Sequence, residues 1–345
     1  MPKHVTQGDV ARRAGVSRST VSNIITGRVG GSVRITEETR QRVLAAVEEL
    51  NYYPHAGARS LRSGHTGLLG LLIPDASNPC YWAVYRGVEE IAREHGYQVI
   101  LSVSNLDLER ERACLFALGQ QRMDGLILLM THYRRLKAEL EALRAQKLAI
   151  VAFGGLLPDI DTVLQSYNLA ATELMSHLLG LGHRRIGFLF GAAEPAIGFD
   201  RLSPYKAALS SVGTPAPDEW VVYCGGTIEE GVAAAHKLLS LDPRPTAIMA
   251  INDLMAIATL QAAAQRGLCV PRDLSVVGFD DIDMAARVVP PLTTVRVDST
   301  EMGRLAVHLM LRRFSQPEAD PEYIDTPAQV VLRESTGPCP QEPVR

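Results

Sequence analysis

From Gly67 onward the chain is organised by short, continuous apolar runs, among them GLLGLLI (67–73), GLILLM (125–130), LAIVAF (148–153), IGFLF (186–190), TAIMAI (246–251) and SVVGF (275–279). A strand exposed on one face alternates apolar and polar residues, whereas a run that is apolar at every position needs cover on both faces. Segments of helical period separate the runs, at 81–95, 108–121, 136–145, 169–181, 204–211, 229–239 and 254–266. Buried strands joined by crossover helices dictate a parallel sheet between helical layers. The series reaches 153 and starts again near 169, which predicts two similar α/β halves with a ligand cleft between them. Segments at 293–297, 302–314, 323–326 and 330–332 are expected to cross between the halves, and the Pro-rich stretch after Ser335 reads as a loose tail.

The first 65 residues follow a different rule. Thr6 can cap a helix over 7–14 whose apolar face is Val10, Ala11 and Ala14, and Gly15 supplies the turn. Ser17 caps a second helix, with Val21, Ile24 and Ile25 inward and Arg18, Ser19, Ser22 and Asn23 on or near the polar side. A third begins at Thr36, carries Glu37 and Glu38 in its first turn, and has Val43, Leu44, Val47 and Leu50 as its core stripe. Two helices separated by AGVS form a helix-turn-helix pattern, although periodicity alone also fits any small helical domain. Charge favours the first reading. Residues 1–65 hold ten Lys/Arg against five Asp/Glu, while the remainder holds 25 against 33, a basic head on an acidic body.

Other classes find less support. The first apolar run is not followed by G-x-G-x-x-G, and GGTIEEG (225–231) lacks the lysine of a phosphate-binding loop. No nucleophile elbow or metal triad is visible, the five cysteines lack zinc spacing, and His132, His177, His183 and His236 are dispersed. An enzyme is therefore not expected, and neither a cofactor nor a metal is implied. A secreted solute receptor is expected to carry a signal peptide, but a basic helical segment follows Met1 instead, and no apolar run has membrane-spanning length. The expectation is a cytoplasmic protein with no membrane partner.

The strings DVARRAGVSRSTVSN, TRQRVLAAVEELNYYPHAGARSLRSG, GLLIPDASNP, GHRRIGFL, PTAIMAINDLMAIATLQAAAQRGLCVPRDLSVVGFDD and PPLTTVRVD occur in this order along nearly the whole chain. They resemble the lactose-repressor (LacI/GalR) family of transcription regulators. The resemblance implies an α/β fold: a two-lobed body like a periplasmic binding protein, preceded by an all-α helix-turn-helix headpiece (1–54) and a hinge helix with linker (55–65). The body would span 66–335, its first lobe from 66–165 plus 298–320 and its second from 166–297 plus 321–335, with a flexible tail at 336–345. The implied partners are double-stranded operator DNA, near-palindromic because a symmetric homodimer reads it twice, and a small-molecule effector such as a sugar or related metabolite. Repression is the expected outcome; an activator or co-regulator-dependent member of the family stays open.

On the DNA side the resemblance assigns Arg18 and Ser19 to base reading, with Asn23 as a further reader and Thr20 and Ser22 on the backbone. The two caps, Thr6 and Ser17, join this set. Arg18 can donate twice to guanine, or merely touch phosphate. In HAGARSLRS (55–63) the family hinge is matched by His55, Ala58, Arg59 and Leu61; Leu61 is an apolar wedge for the minor groove or an ordinary linker residue. Gly57 and the short length predict a hinge that forms only on DNA. The loop 27–35 is longer than is usual, and reaches phosphate through Arg28 or Arg34 or is a tolerated insertion.

On the effector side the matched positions are Arg201, Asn252 and Asp280 from the second lobe, and Asp75, Asn78 and Tyr81 from the first, with Tyr167 between them. Trp82 either stacks on a ligand ring or packs its own helix. Departures are Cys80 for a frequent aromatic, Gly154-Gly155 for an Asp-Arg pair, Tyr167 for an Asp, and the missing aromatic near Gly226. They leave open a less polar or bulkier effector, a non-sugar, or none.

Overall fold

The computed structural model describes residues 5–25, 35–52, 65–154, 157–191 and 199–341. It divides into two compact units, residues 1–66 and 67–345.

Among the described residues the first unit has three helices, α1 (Gln7–Ala14), α2 (Arg18–Ile25) and α3 (Glu37–Glu49). Thr6 and Asp9 form a reciprocal capping box at the start of α1, and Gly15, at φ 67°, closes its end by donating to the Ala11 and Arg12 carbonyls. The core is Val10, Ala11, Ala14, Val21, Val43, Ala46 and Tyr52. Leu44 corrects the expected stripe, because it is 40% exposed. It stands about 100° around the helix from Val43, whereas Ala46, three residues on, returns to the inward face.

In the second unit the first sheet contains β1 (Leu68–Ile73), β2 (Gln98–Val103), β3 (Gly125–Leu128), β4 (Ala149–Gly154), β5 (Asp161–Gln165) and β11 (Tyr323–Thr326), in the spatial order β11-β5-β4-β3-β1-β2. All its pairings are parallel, in registers such as Leu69↔Val99 and Leu69↔Gly125. Helices α4 (Pro79–Glu94), α5 (Leu108–Gln120) and α6 (Lys137–Ala145) cross over between its strands. One face of the sheet packs into a cluster with Leu115, Leu118, Leu140 and Leu143, from α5 and α6.

The chain enters the second lobe through α7 (Asn168–Gly180) and builds β6 (Ile186–Phe190), α8 (Phe199–Ser211), β7 (Val221–Tyr223), α9 (Ile228–Leu239), β8 (Ala247–Ala250), α10 (Asp253–Gln265) and β9 (Ser275–Val277). This sheet is again parallel, in the order β7-β6-β8-β9. A strand β10 (Thr294–Arg296) then precedes α11 (Ser299–Ser315), which returns to the first lobe and packs against α4, and β12 (Gln329–Val331) pairs antiparallel with β10.

Two expected boundaries change. Residues 323–326 were placed in the second lobe, but β11 pairs with β5 along Tyr323↔Thr162 and Thr326↔Gln165, so the last crossing lies between 326 and 329. The strand β5 itself, DTVLQ, escaped the apolar-run criterion because Asp161 opens it; the Asp161 carboxylate is buried between Arg312 and Arg313. The segment after Ser335 is not a loose tail through 339. Ser335 is buried, Thr336 bonds His177, and the Cys339 amide donates to the Leu181 carbonyl at 2.8 Å. At its centre His183, fully buried, meets the Thr246 hydroxyl at 2.9 Å and the Ser275 hydroxyl and Gly337 carbonyl at 3.0 Å each. Thus "GHRR" supplies the bolt that fastens the C-terminal segment to the second sheet.

Two tests follow from this packing. Helices α4 and α11 touch backbone to backbone, since a Cβ on Gly87 would lie 1.9 Å from the Thr300 carbonyl oxygen and one on Gly303 would lie 2.2 Å from that of Val84. Gly87→Ala is expected to cost about 1–3 kcal/mol by forcing the helices apart, measured by denaturant unfolding. Burial holds His183 below its ordinary value of 6.5, against the raising effect of the Gly337 carbonyl and with a further lowering by His177. The unfolded chain therefore binds more protons just below pH 6.5, so this contribution is complete above 6.5 and is lost as pH falls toward the depressed value. The melting temperature should fall from pH 7.5 to 5, and His183→Gln should flatten that slope while lowering stability at pH 7.5 by about 1–3 kcal/mol. An unchanged slope in a folded variant refutes the assignment.

Candidate functional site

In the first unit the functional surface is the N-terminal turn of α2. The Ser17 hydroxyl accepts from the Thr20 amide at 3.1 Å and stands 2.7 Å from the Ser19 hydroxyl and 2.8 Å from that of Thr20. This fastens the first turn while fully buried Val21 fixes the opposite face against α1 and α3. Arg18, Ser19 and Asn23 are left exposed, with Thr20 and Ser22 half-buried. Arg18 thus presents a rigid fork of donors beside two shorter polar side chains, a set able to reach base edges and phosphates. Thr6 spends its hydroxyl on Asp9, at 2.6 Å, within the capping box. His55, Ala58, Arg59 and Leu61 lie outside the described residues, as do Arg28, Arg34 and Gly155.

In the second unit the site follows from strand order. In each sheet a central strand sends its crossovers in opposite directions: β1 lies between β2 and β3, and β6 lies between β7 and β8. Loops leaving such neighbouring strands diverge and open a crevice at the carboxyl ends. Asp75, Asn78, Cys80 and Tyr81 follow β1, Thr131 follows β3, Asn252 follows β8 and Asp280 follows β9. These residues line one cavity of about 160 Å³, together with Leu106, Gln165, Tyr167, Gly191, Arg201, Gly225, Gly226 and Ile251. All seven effector-side residues named from the sequence are brought together here.

Local structure explains their poses. Asn78 caps α4, its amide oxygen accepting from the Cys80 amide at 3.0 Å, and Asn252 caps α10 by accepting from Met255 at 2.9 Å. Asp75 is turned back on Ser77, whose amide and hydroxyl both donate to it at 2.8 Å. Asp280 has φ +102°, a region costly for any residue with a Cβ. Its amide donates to Val295 at 2.8 Å, which holds the carboxyl toward the cleft despite that cost.

The Tyr167 hydroxyl donates to Asp280 Oδ1 at 2.8 Å and accepts from the Gln165 amide. The Arg201 guanidinium carbon lies 3.6 Å from the centre of the Tyr167 ring and 5.1 Å from that of Phe279. Burial raises the Asp280 value, against the lowering effects of Arg201 and of side-chain hydrogen bonds from Tyr167, Asn78 and Cys80. Burial, then the Asp280 charge, pushes the Tyr167 phenol well above its ordinary value. For Arg201 burial acts downward, but Asp200, Tyr167 and Asp280 outweigh it, so the guanidinium stays charged. The arrangement can grip a small polar molecule.

Trp82 does not line the cavity: its indole N–H donates to the Ala76 carbonyl at 2.8 Å, its ring stands edge-on to Tyr85, and it is 41% exposed. Sequence reasoning missed Thr131 and the group behind it. Glu111, fully buried, accepts from the Thr131 amide and hydroxyl and from the His132 amide. In LERERACL it reads as one charge on a solvated helix face, and only the placement of β3 beside α5 reveals its partners. Leu106, Gly225 and Gly226 carried no polar signal either.

Comparison with known proteins agrees with this architecture. Residues 6–55 match the family model "Bacterial regulatory proteins, lacI family", and residues 175–336 match "Periplasmic binding protein-like domain". The ribose operon repressor of Haemophilus influenzae is 35% identical over 330 residues, covering 96% of this chain and 98% of that protein. Among solved structures, the lac repressor dimer bound to operator and the anti-inducer ONPF matches with a TM-score of 0.75 at 26% identity, over 97% of this chain and 100% of that one. A complex of the regulator CelR with cellobiose matches with a TM-score of 0.70 at 28% identity, over 96% of this chain and 100% of its own. The headpiece with its exposed α2 face, the two-lobed body and these matches lead to one conclusion: the chain belongs to the LacI family and is a DNA-binding transcriptional regulator.

Proposed function

We propose that this regulator is a repressor that binds a near-palindromic operator as a homodimer, with its DNA affinity set by a small molecule in the cleft between the lobes. The observation that carries the effector part is Arg201: it is nine-tenths buried, lines the cavity, and its Nε–H has no hydrogen-bond partner among the described residues. A buried donor left without an acceptor is a marker of a ligand position. The repressor part is supported by relatives that carry that name, and the dimer and operator by the lac repressor complex. A two-fold dimer presents α2 twice, which requires inverted half-sites. Ala58, Arg59, Leu61 and His55 enter this proposal as DNA contacts through sequence alone.

The direct test is selection of bound sites from random duplexes by the full chain, repeated in the presence of saccharides and other metabolites. Inverted half-sites whose occupancy shifts with one metabolite are expected; a single unrepeated half-site overturns the dimer reading. Arg18→Ala should flatten base preference at one position in each half-site, a loss of about 1–3 kcal/mol of discrimination. Ser17→Ala should weaken binding to all sequences alike, because it removes a helix cap worth about 0.5–2 kcal/mol and no base contact. Leu61→Ala should lower specific affinity and reduce DNA bending, read by circular-permutation gel shift.

A further inference from the structure

The cleft is already partly occupied by a side chain of the protein. Tyr167 sits where the chain passes from β5 to α7, is only 2% exposed, and places its ring against Arg201 and its hydroxyl on Asp280. We propose that Tyr167 sets which effectors the cleft accepts, restricting it to a neutral molecule of one small ring that offers an acceptor oxygen to Arg201. This deepens the effector reading above and rests on it.

The polar capacity comes first. A carboxyl group offers about four acceptor positions on its two oxygens. The Tyr167 hydroxyl already donates to Asp280 Oδ1 at 2.8 Å. That position is closed to the hydroxyls of a ligand for as long as the phenol holds it. One face of the Arg201 guanidinium is covered by the Tyr167 ring, while its Nε–H is buried without a partner among the described residues. The unmet need in the cleft is therefore an acceptor, to be supplied by the ligand.

Charge and size complete the selection. Asp75 and Asp280 line the cavity with Arg201, and Asp200 stands 3.7 Å from the same guanidinium. An anion would face more acidic than basic groups, so a neutral molecule is favoured. The cavity of about 160 Å³ corresponds to about five water volumes. Sites for drug-sized molecules are about 300–1,000 Å³. At the rim Leu106 of the first lobe stands against Gly226 of the second, where a Cβ would come within 2.5 Å of it, so the two lobes meet there. The ring of Tyr167 is the removable volume.

Calorimetric titration of the full-length protein with D-ribose, D-glucose, D-glucuronate and cellobiose tests this. Wild type should bind one of the neutral single-ring sugars at least tenfold more tightly than cellobiose or glucuronate. Tyr167→Ala should reduce the preference over cellobiose at least tenfold. Tyr167→Phe keeps the ring, so it should keep the size preference, but it returns an acceptor on Asp280 and should bind the single-ring sugar about tenfold more tightly. Wild type binding cellobiose or glucuronate as well as a neutral single ring overturns the inference and leaves the effector reading standing. So does a folded Tyr167→Ala that retains the wild-type preference, or a folded Tyr167→Phe with unchanged sugar affinity. If no probe binds wild type or either variant, this inference falls, and the effector reading is decided separately by whether any metabolite shifts operator occupancy.

Discussion

The buried contact of Arg201, Tyr167 and Asp280 is the constraint around which the body is arranged. A guanidinium removed from water needs both an opposing charge and a polarisable face, and here Asp200 and Asp280 supply the first while Tyr167 and Phe279 supply the second. These groups come from the ends of β9 and β5 and the start of α8, so the contact exists only when both lobes are complete and correctly crossed. The strained φ of Asp280 is maintained by the same network, through its backbone bond to Val295 and the donors that converge on its carboxyl.

Such a contact can transmit ligand state because both lobes share it. Tyr167 lies on one crossing between the lobes, and the other two crossings lie between β10 and α11 and between β11 and β12. Under the proposed effector reading, a molecule that changes the partners of Arg201 or Asp280 acts on a segment that joins the lobes. Tight packing between α4 and α11, at Gly87 and Gly303, leaves this part of the first lobe little room to deform.

The headpiece obeys a separate economy. Among the described residues its core contains seven buried side chains, and local devices such as the Thr6–Asp9 box, the Gly15 turn and the Ser17 cap add to what orders it. The same caps orient the exposed side chains of α2. Stability and recognition are coupled there by the geometry of one helical turn.

Periodicity and turn chemistry were enough to determine most parallel strands, most crossover helices and the three described headpiece helices, because each depends on neighbours within one element, while the family was legible from the motif strings that run along the chain. The seven effector-side positions were legible through the family resemblance, and those that follow the apolar runs of β1, β8 and β9 also stand at the carboxyl ends where open parallel sheets bind ligands. Other features depend on residues far apart in sequence, and only the folded chain decided them. Asp161 hid β5 until Arg312 and Arg313 arrived to neutralise it, and the segment around Gly337 had no visible anchor until His183 met it 154 residues away. Likewise Tyr167 is one phenol in a polar stretch of sequence. Its place between Arg201 and Asp280 exists because two sheets, built from interleaved segments, bring their carboxyl ends face to face.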